Sequence, residues 1–475
     1  MSERITRRRT LAALGAAGIT GLAGCSGGNG GGTETDGDTT AADTETSSDM
    51  DGTTTGSTGG ASGTVKIGVL QPISGDLQYY GQQALWGFSS GLGYKAGGEP
   101  PLTAETGSQT VTVGDVDYEL YIRDSQFSAD TAQTLATNLV TDEEVDMLFG
   151  CASSGAATRV STTVAQQAGV PYMAGPAASA SLTADSESCS DMVFRASENT
   201  AMDARSGGKY VAQESDVSRV FLFGADYSFG RAVVNNYEQV LTNEGVEIVG
   251  KRFVPQGYSE WEGLLDNAVE AGAEGIVGGF TVATLPSLFT TYLQGDYDFT
   301  VFGGFATSIT NNVVGGLLQN QLGELTQEKL DGAGIGPFTT RYHWNQYDNE
   351  INSAFVDGYV NAYGRVPDLF TSGTFTAASA IVQGVEEGGS TEGADIAEAL
   401  RGMTVADTPK GTDAYTFQEY NNQARSEMTV ANVAPTADEW SDSWGAAVQP
   451  SEPVARISAD GTTIPADSDD MGCSL

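Results

Sequence analysis

The chain is predicted to fold as two doubly wound, Rossmann-like α/β lobes joined by a hinge, with a cleft between them. Three observations predict this. From residue 65 onward short apolar runs alternate with amphipathic helical stretches; the alternation comes as two series of similar length; and the turns after the apolar runs are rich in Gly, Ser and Thr. Alternation of this kind builds parallel sheets covered by helices on both faces.

The first series opens with a strand over 65–70. A helix over 82–95 follows, carrying Leu85, Phe88 and Leu92 at helical spacing. A second strand spans 118–123. Ser128 is placed to cap a helix through residue 140, with Ala132, Leu135, Ala136 and Leu139 on one face. A strand over 145–149, a helix holding Val160 and Val164, and a strand over 170–173 complete the set, and the second series begins after 193–195. The second series runs strand 219–223, helix 230–244, strand 247–253, helix 261–271, strand 275–278, helix 285–294 and strand 300–302. Helices over 350–363 and 374–387 and a strand near 428–433 are shared between the lobes. In open α/β sheets ligands bind beyond the carboxyl ends of the strands. Here those turns are 73–80, 150–155, 175–179, 224–230, 279–284 and 303–307, all nearly free of charge. Two lobes facing each other with such turns make a cleft able to close on a small polar solute.

The N-terminus is an export signal. Arg4 and Arg7-Arg8-Arg9 precede an apolar run, 11–24, too short to span a bilayer. The run ends in Leu22-Ala23-Gly24-Cys25, a lipobox, which makes residues 1–24 a signal peptide and Cys25 the lipidation site. Thr6-Arg7-Arg8-Arg9-Thr10-Leu11 resembles a twin-arginine signal, with Thr10 where that pattern usually has an aromatic. Residues 26–63 are nearly all Gly, Ser, Thr, Asp and Glu, with no apolar surface to offset ordering, and read as a disordered tether reaching roughly 35 Å.

Charge is lopsided: 62 Asp plus Glu against 22 Lys plus Arg, a net of −40. The acids are spread along the chain. In ordinary salt such a load repels itself, whereas at molar salt the Debye length falls to about 3 Å. The composition therefore reads as halophilic adaptation, and it excludes nucleic acid as a partner. There are four cysteines. With Cys25 assigned to lipid, Cys151 and Cys189 are candidates for a disulfide, and Cys473 sits in a polar C-terminal tail. No CxxC or Cys/His cluster is present, so neither a metal nor a cofactor is expected.

The ordered motifs resemble the branched-chain amino-acid (leucine/isoleucine/valine) binding proteins, the extracytoplasmic receptors of ABC importers. They are Val65-Lys66-Ile67-Gly68-Val69-Leu70, Pro72-Ile73-Ser74-Gly75, Arg123-Asp124, Phe149-Gly150 with Ser153-Ser154, and Gly169-Val170-Pro171. Leu182-Thr183, Phe194-Arg195 and Asp226-Tyr227-Ser228-Phe229-Gly230 follow. The resemblance spans roughly 64–435 and implies the type I periplasmic-binding-protein fold, with three crossovers between the lobes. It divides the chain into lobe 1 (64–196), lobe 2 (197–335), a return to lobe 1 (336–412), a return to lobe 2 (413–450) and a tail (451–475).

The resemblance also places binding residues. Ser154 matches the serine that holds a ligand carboxylate, with Ser153 beside it; either serine is equally a helix N-cap. Tyr80 matches an aromatic closing the pocket, Ala177 a residue whose backbone carbonyl accepts from the ligand, and Phe229, with Tyr227 near it, an aromatic wall. Phe280 lies in another of the cleft turns. Two positions depart from the family: Ala178 stands where Thr is usual, with Ser179 next to it, and the turn holding Phe305 has no acid to meet an ammonium. A buried ammonium without a carboxylate is poorly compensated. Asp226 is the alternative acid, and urea, a short amide or an organic acid become alternative solutes to an amino acid. The implied partners are a small solute, ABC permease and ATPase subunits, and the membrane through the lipid. A sensing receptor feeding a separate transducer is the other reading of the same lobes.

Catalysis is not expected. The turn 150–155 offers Cys151, Ser153 and Ser154 in a strand-turn-helix, but a nucleophile needs a base beside it. The single histidine, His343 in Arg341-Tyr342-His343-Trp344, falls outside the cleft turns.

Overall fold

The computed structural model describes residues 60–303 and 307–475. The signal segment, Cys25, most of the tether and Phe305 lie outside the described residues.

Two sheets organise the molecule. The first contains β1 (Gly63–Gln71), β2 (Gly107–Val113), β3 (Val116–Asp124), β4 (Met147–Gly150), β5 (Tyr172–Ala174) and β6 (Val193–Phe194), in the order β2-β3-β1-β4-β5-β6. β1 runs parallel to β3 and β4, and β2 is an antiparallel edge strand on β3. The second sheet holds β7 (Arg219–Ala225), β8 (Glu247–Val254), β9 (Gly275–Gly279), β10 (Thr300–Gly303) and β11 (Ile335–Thr340), all parallel. A short antiparallel sheet follows, β12 (Thr404–Val405), β13 (Tyr415–Phe417) and β14 (Ala424–Arg425). Then β15 (Met428–Pro435) and β16 (Val448–Ile457) join the second sheet antiparallel, giving β16-β15-β11-β10-β9-β7-β8.

The central strands of each sheet are buried on both faces. Val65, Ile67 and Val69 of β1 pack into one cluster with Phe88, Phe149 and Ile381; Leu70 joins Leu139, Leu148 and Val160 on the other side. Burial of each such side chain contributes about 1.5–3 kcal/mol. The helix Gln78–Lys95 packs along Thr371–Gly388, so the later segment returns to the first lobe. Small residues allow the approach: a Cβ on Gly91 would stand 2.4 Å from the Phe375 carbonyl oxygen. Ser128 caps Ala129–Thr141 through a bond from the Thr131 N–H, as its position predicts.

The chain crosses between lobes after β6, after β11 and between β14 and β15. At the first crossing the helix Thr200–Asp203 runs into a π turn, Ala204–Gly208. A Cβ on Gly207 would sit 2.9 Å from the Thr339 backbone nitrogen, so glycine lets this crossover lie directly against β11. Ser206 and Thr339 also pair through their hydroxyls.

The disulfide differs from the expected pair. Cys189 bonds Cys473, with Cα atoms 6.0 Å apart, while Cys151 is a free, buried thiol. Residues 451–475 are accordingly not a loose tail: they begin within β16 and end docked on the first lobe, where Gly472 N–H donates to the Ala184 carbonyl. His343 is fully buried in edge contact with Trp344 and Trp444, and burial pulls its imidazole down to about 3.

Candidate ligand-binding cleft

The cleft begins where β4 ends. Gly150 has φ +128° and a Cβ there would stand 2.3 Å from the Leu70 carbonyl oxygen, so only glycine fits. The chain turns through Cys151 into the helix Ser154–Val160. Ser153 is the N-cap, its Oγ accepting from Ala156 N–H at 3.4 Å. Ser154 lines the cavity between the lobes, its Oγ accepting from Ser179 N–H at 3.1 Å and its own O–H left to donate.

Tyr80, Ser154, Ala178, Tyr227, Phe229 and Phe280, all expected at the site, line this cavity together. Ser153, Ala177 and Ser179 stand behind the wall. The Ala177 and Ser179 carbonyls accept from Arg195 Nη1 at 3.1 and 2.6 Å, and the Ser179 hydroxyl pairs with Ser181 at 2.7 Å. The Ala177 carbonyl is thereby engaged by protein instead of pointing at a solute. Asp226 is also outside the cavity, in a solvent-exposed ion pair with Arg231.

Charged residues that the turn pattern did not indicate sit at the hinge. Asp203, on the first crossover, takes a two-pronged bond from Arg341, just after β11: Nε to Oδ1 at 3.0 Å and Nη2 to Oδ2 at 2.6 Å. Both line the cavity and are only 6% and 4% exposed. Burial works against the Arg341 charge, but Asp203 outweighs it and holds the guanidinium above its ordinary value. Arg341 Nη1 has no hydrogen-bond partner among the described residues; nor do the buried Tyr237 and Thr281 hydroxyls in the same wall. Phe127, Phe370 and Leu369 extend the apolar lining. The Phe370 ring faces the Arg341 guanidinium at 5.6 Å and the Tyr80 ring edge-on at 5.3 Å.

The lobes touch across this cavity. Val282 N–H, after β9, donates to the Tyr80 oxygen at 3.0 Å. Ser308 N–H, at the start of the helix Ser308–Leu322, donates to Asp368 Oδ2 at 2.8 Å. No histidine reaches Ser153, Ser154 or Cys151, and burial pushes the Cys151 thiol up to about 12. The cavity thus presents hydrogen-bond donors from an apolar wall, and among the described residues no base stands beside Ser153, Ser154 or Cys151.

Two α/β lobes facing each other across a cavity have the architecture of a solute-binding protein, and the comparisons agree. Residues 64–439 match the periplasmic binding protein family, and the chain belongs to it. It is 24% identical over 381 residues to Leu/Ile/Val-binding protein homolog 7 of Brucella abortus, covering 78% of this chain and 88% of that one. The fold matches an ABC-type branched-chain amino acid transporter from Rhodopseudomonas palustris (TM-score 0.63, 22% identity, 84% of this chain and 98% of that one). It also matches a solute binding protein of an ABC transporter from R. palustris in complex with benzoate (TM-score 0.64, 18% identity, 87% and 100%).

Proposed function

We propose that the chain is the lipid-anchored receptor of an ABC uptake system and captures a small carboxylate-bearing solute by closing its lobes. The cavity between the lobes, with the Val282–Tyr80 bond across it, carries this reading. Closure is favourable when the liganded closed state lies below the open one, and only then does the permease meet a distinct shape. The named relatives' cargoes, branched-chain amino acids and benzoate, share a carboxylate on an apolar body, which suits aromatic walls with scattered donors.

The anchor is Cys25, reached by export of the signal 1–24 along the twin-arginine route, and the body is adapted to high salt. A thermal-shift panel of amino acids, amides, urea and organic acids in molar salt tests the receptor reading. Stabilisation by one solute class is expected. A panel in which nothing raises the midpoint would remove the reading.

A further inference from the structure

We propose that Arg341 receives the solute's carboxylate through Nη1, and that the solute is a monoanion with an apolar body and no ammonium. This rests on the receptor reading above and narrows it. Asp203 occupies Nε and Nη2 and so fixes the plane of the guanidinium. The remaining nitrogen is buried in the cavity wall without an acceptor among the described residues. Leaving such a donor unmet is costly, and a carboxylate oxygen removes that cost.

The buried charges around Arg341 point the same way. Lys410 and Glu198 pair with each other at 2.7 Å, and Arg341 pairs with Asp203. Arg195 is left over: it is fully buried, and its side-chain partners, Gln423, Thr183 and the carbonyls of Ala177 and Ser179, are all uncharged. Burial, and then the field of Arg341, pull the Arg195 guanidinium down to about 9. Asp368, the other buried carboxyl beside the lining, accepts from the Ser308 and Leu369 N–H groups and not from Arg341. Among these hinge cations Arg195 alone has no carboxylate partner, and a monoanion adds a negative charge where a zwitterion adds none.

An ammonium finds no free counter-charge. Asp203 is the one carboxylate among the described lining residues, and both its oxygens already accept from Arg341. The Tyr237 and Thr281 hydroxyls supply neutral donors for the second carboxylate oxygen or a ring substituent. The Phe370 and Tyr80 rings receive a flat or branched body.

Titration calorimetry of the intact protein in molar salt with two matched pairs tests this. Benzoate against benzamide isolates the carboxylate; 4-methylpentanoate against leucine isolates the ammonium. At least one acid should bind, each binding acid about tenfold to a hundredfold more tightly than its partner, the worth of a hydrogen bond to a charged group. The inference is overturned if benzamide equals benzoate, if leucine equals or exceeds 4-methylpentanoate, or if neither acid binds. Binding of amides or amino acids alone would sink the inference and leave the receptor reading standing; no binding by any solute of the wider panel would sink both. In the charge-free double variant Asp203→Asn/Arg341→Gln the acid-over-amide preference should vanish, and its persistence would assign the pair a purely structural role. If that variant does not fold, the wild-type pairs still decide.

Discussion

Val282 N–H donates across the cleft to the Tyr80 phenol oxygen at 3.0 Å, joining the loop after β9 to the first turn of the helix Gln78–Lys95. Tyr80→Phe keeps the ring against Phe370 but leaves the buried Val282 N–H without its acceptor. The expected cost to the closed state is about 1–3 kcal/mol, read as roughly tenfold to hundredfold weaker solute affinity by calorimetry. An unchanged affinity would show that this bond does not help hold the lobes together.

The Lys410–Glu198 pair is almost fully buried, and Glu198 also accepts from the Tyr415 and Ser426 hydroxyls. Lys410→Met strands the carboxylate. A loss of about 3–5 kcal/mol is expected in guanidinium denaturation, with most of it regained in Glu198→Gln/Lys410→Met. A single variant as stable as the parent would contradict the assignment.

Burial pushes the Asp368 carboxyl up to about 7, although the Ser308 and Leu369 N–H groups pull it down. Its folded value lies above its unfolded one, so the native state holds the extra proton between roughly pH 4 and 7. Asp368 therefore favours folding least above pH 7 and progressively more as pH falls toward 4. Subtracting the stability–pH curve of Asp368→Asn from that of the parent should leave a negative slope across this window. A flat difference would mean that Asp368 ionises as readily folded as unfolded.

The Cys189–Cys473 bond closes a loop of 284 residues in sequence separation. Cys473→Ser should lower stability by about 2–4 kcal/mol and speed proteolysis after Ile457. A protease-resistant variant would show that the Gly472–Ala184 and Leu475–Tyr420 backbone bonds suffice to hold the end down.

The alternating elements of both lobes were legible because their helices carry apolar stripes and their parallel strands are continuous apolar runs. β2, Gly-Ser-Gln-Thr-Val-Thr-Val, escaped notice because an edge strand needs little apolar surface. β11 and β16 were obscured by Pro337, Pro450 and Pro453, residues that argue locally against a strand. Missing β11 hid Arg341 at its end, although strand ends were the rule used to find the cleft. Asp203 gave no local sign at all, since it meets Arg341 across 138 positions of sequence. The cysteine pairing failed for the same reason: distance along the chain says nothing about where a polar end folds back.

The last strand, β16, belongs to the second sheet, while the last cysteine is bonded to the first lobe. Residues 458–472 thus form a strap with both ends fastened, additional to the three crossovers that serve as the hinge. A jaw strapped in this way can gape only as far as the slack allows. The two lobes are thus tied together at four places, the fourth of them closed by sulfur and not by backbone.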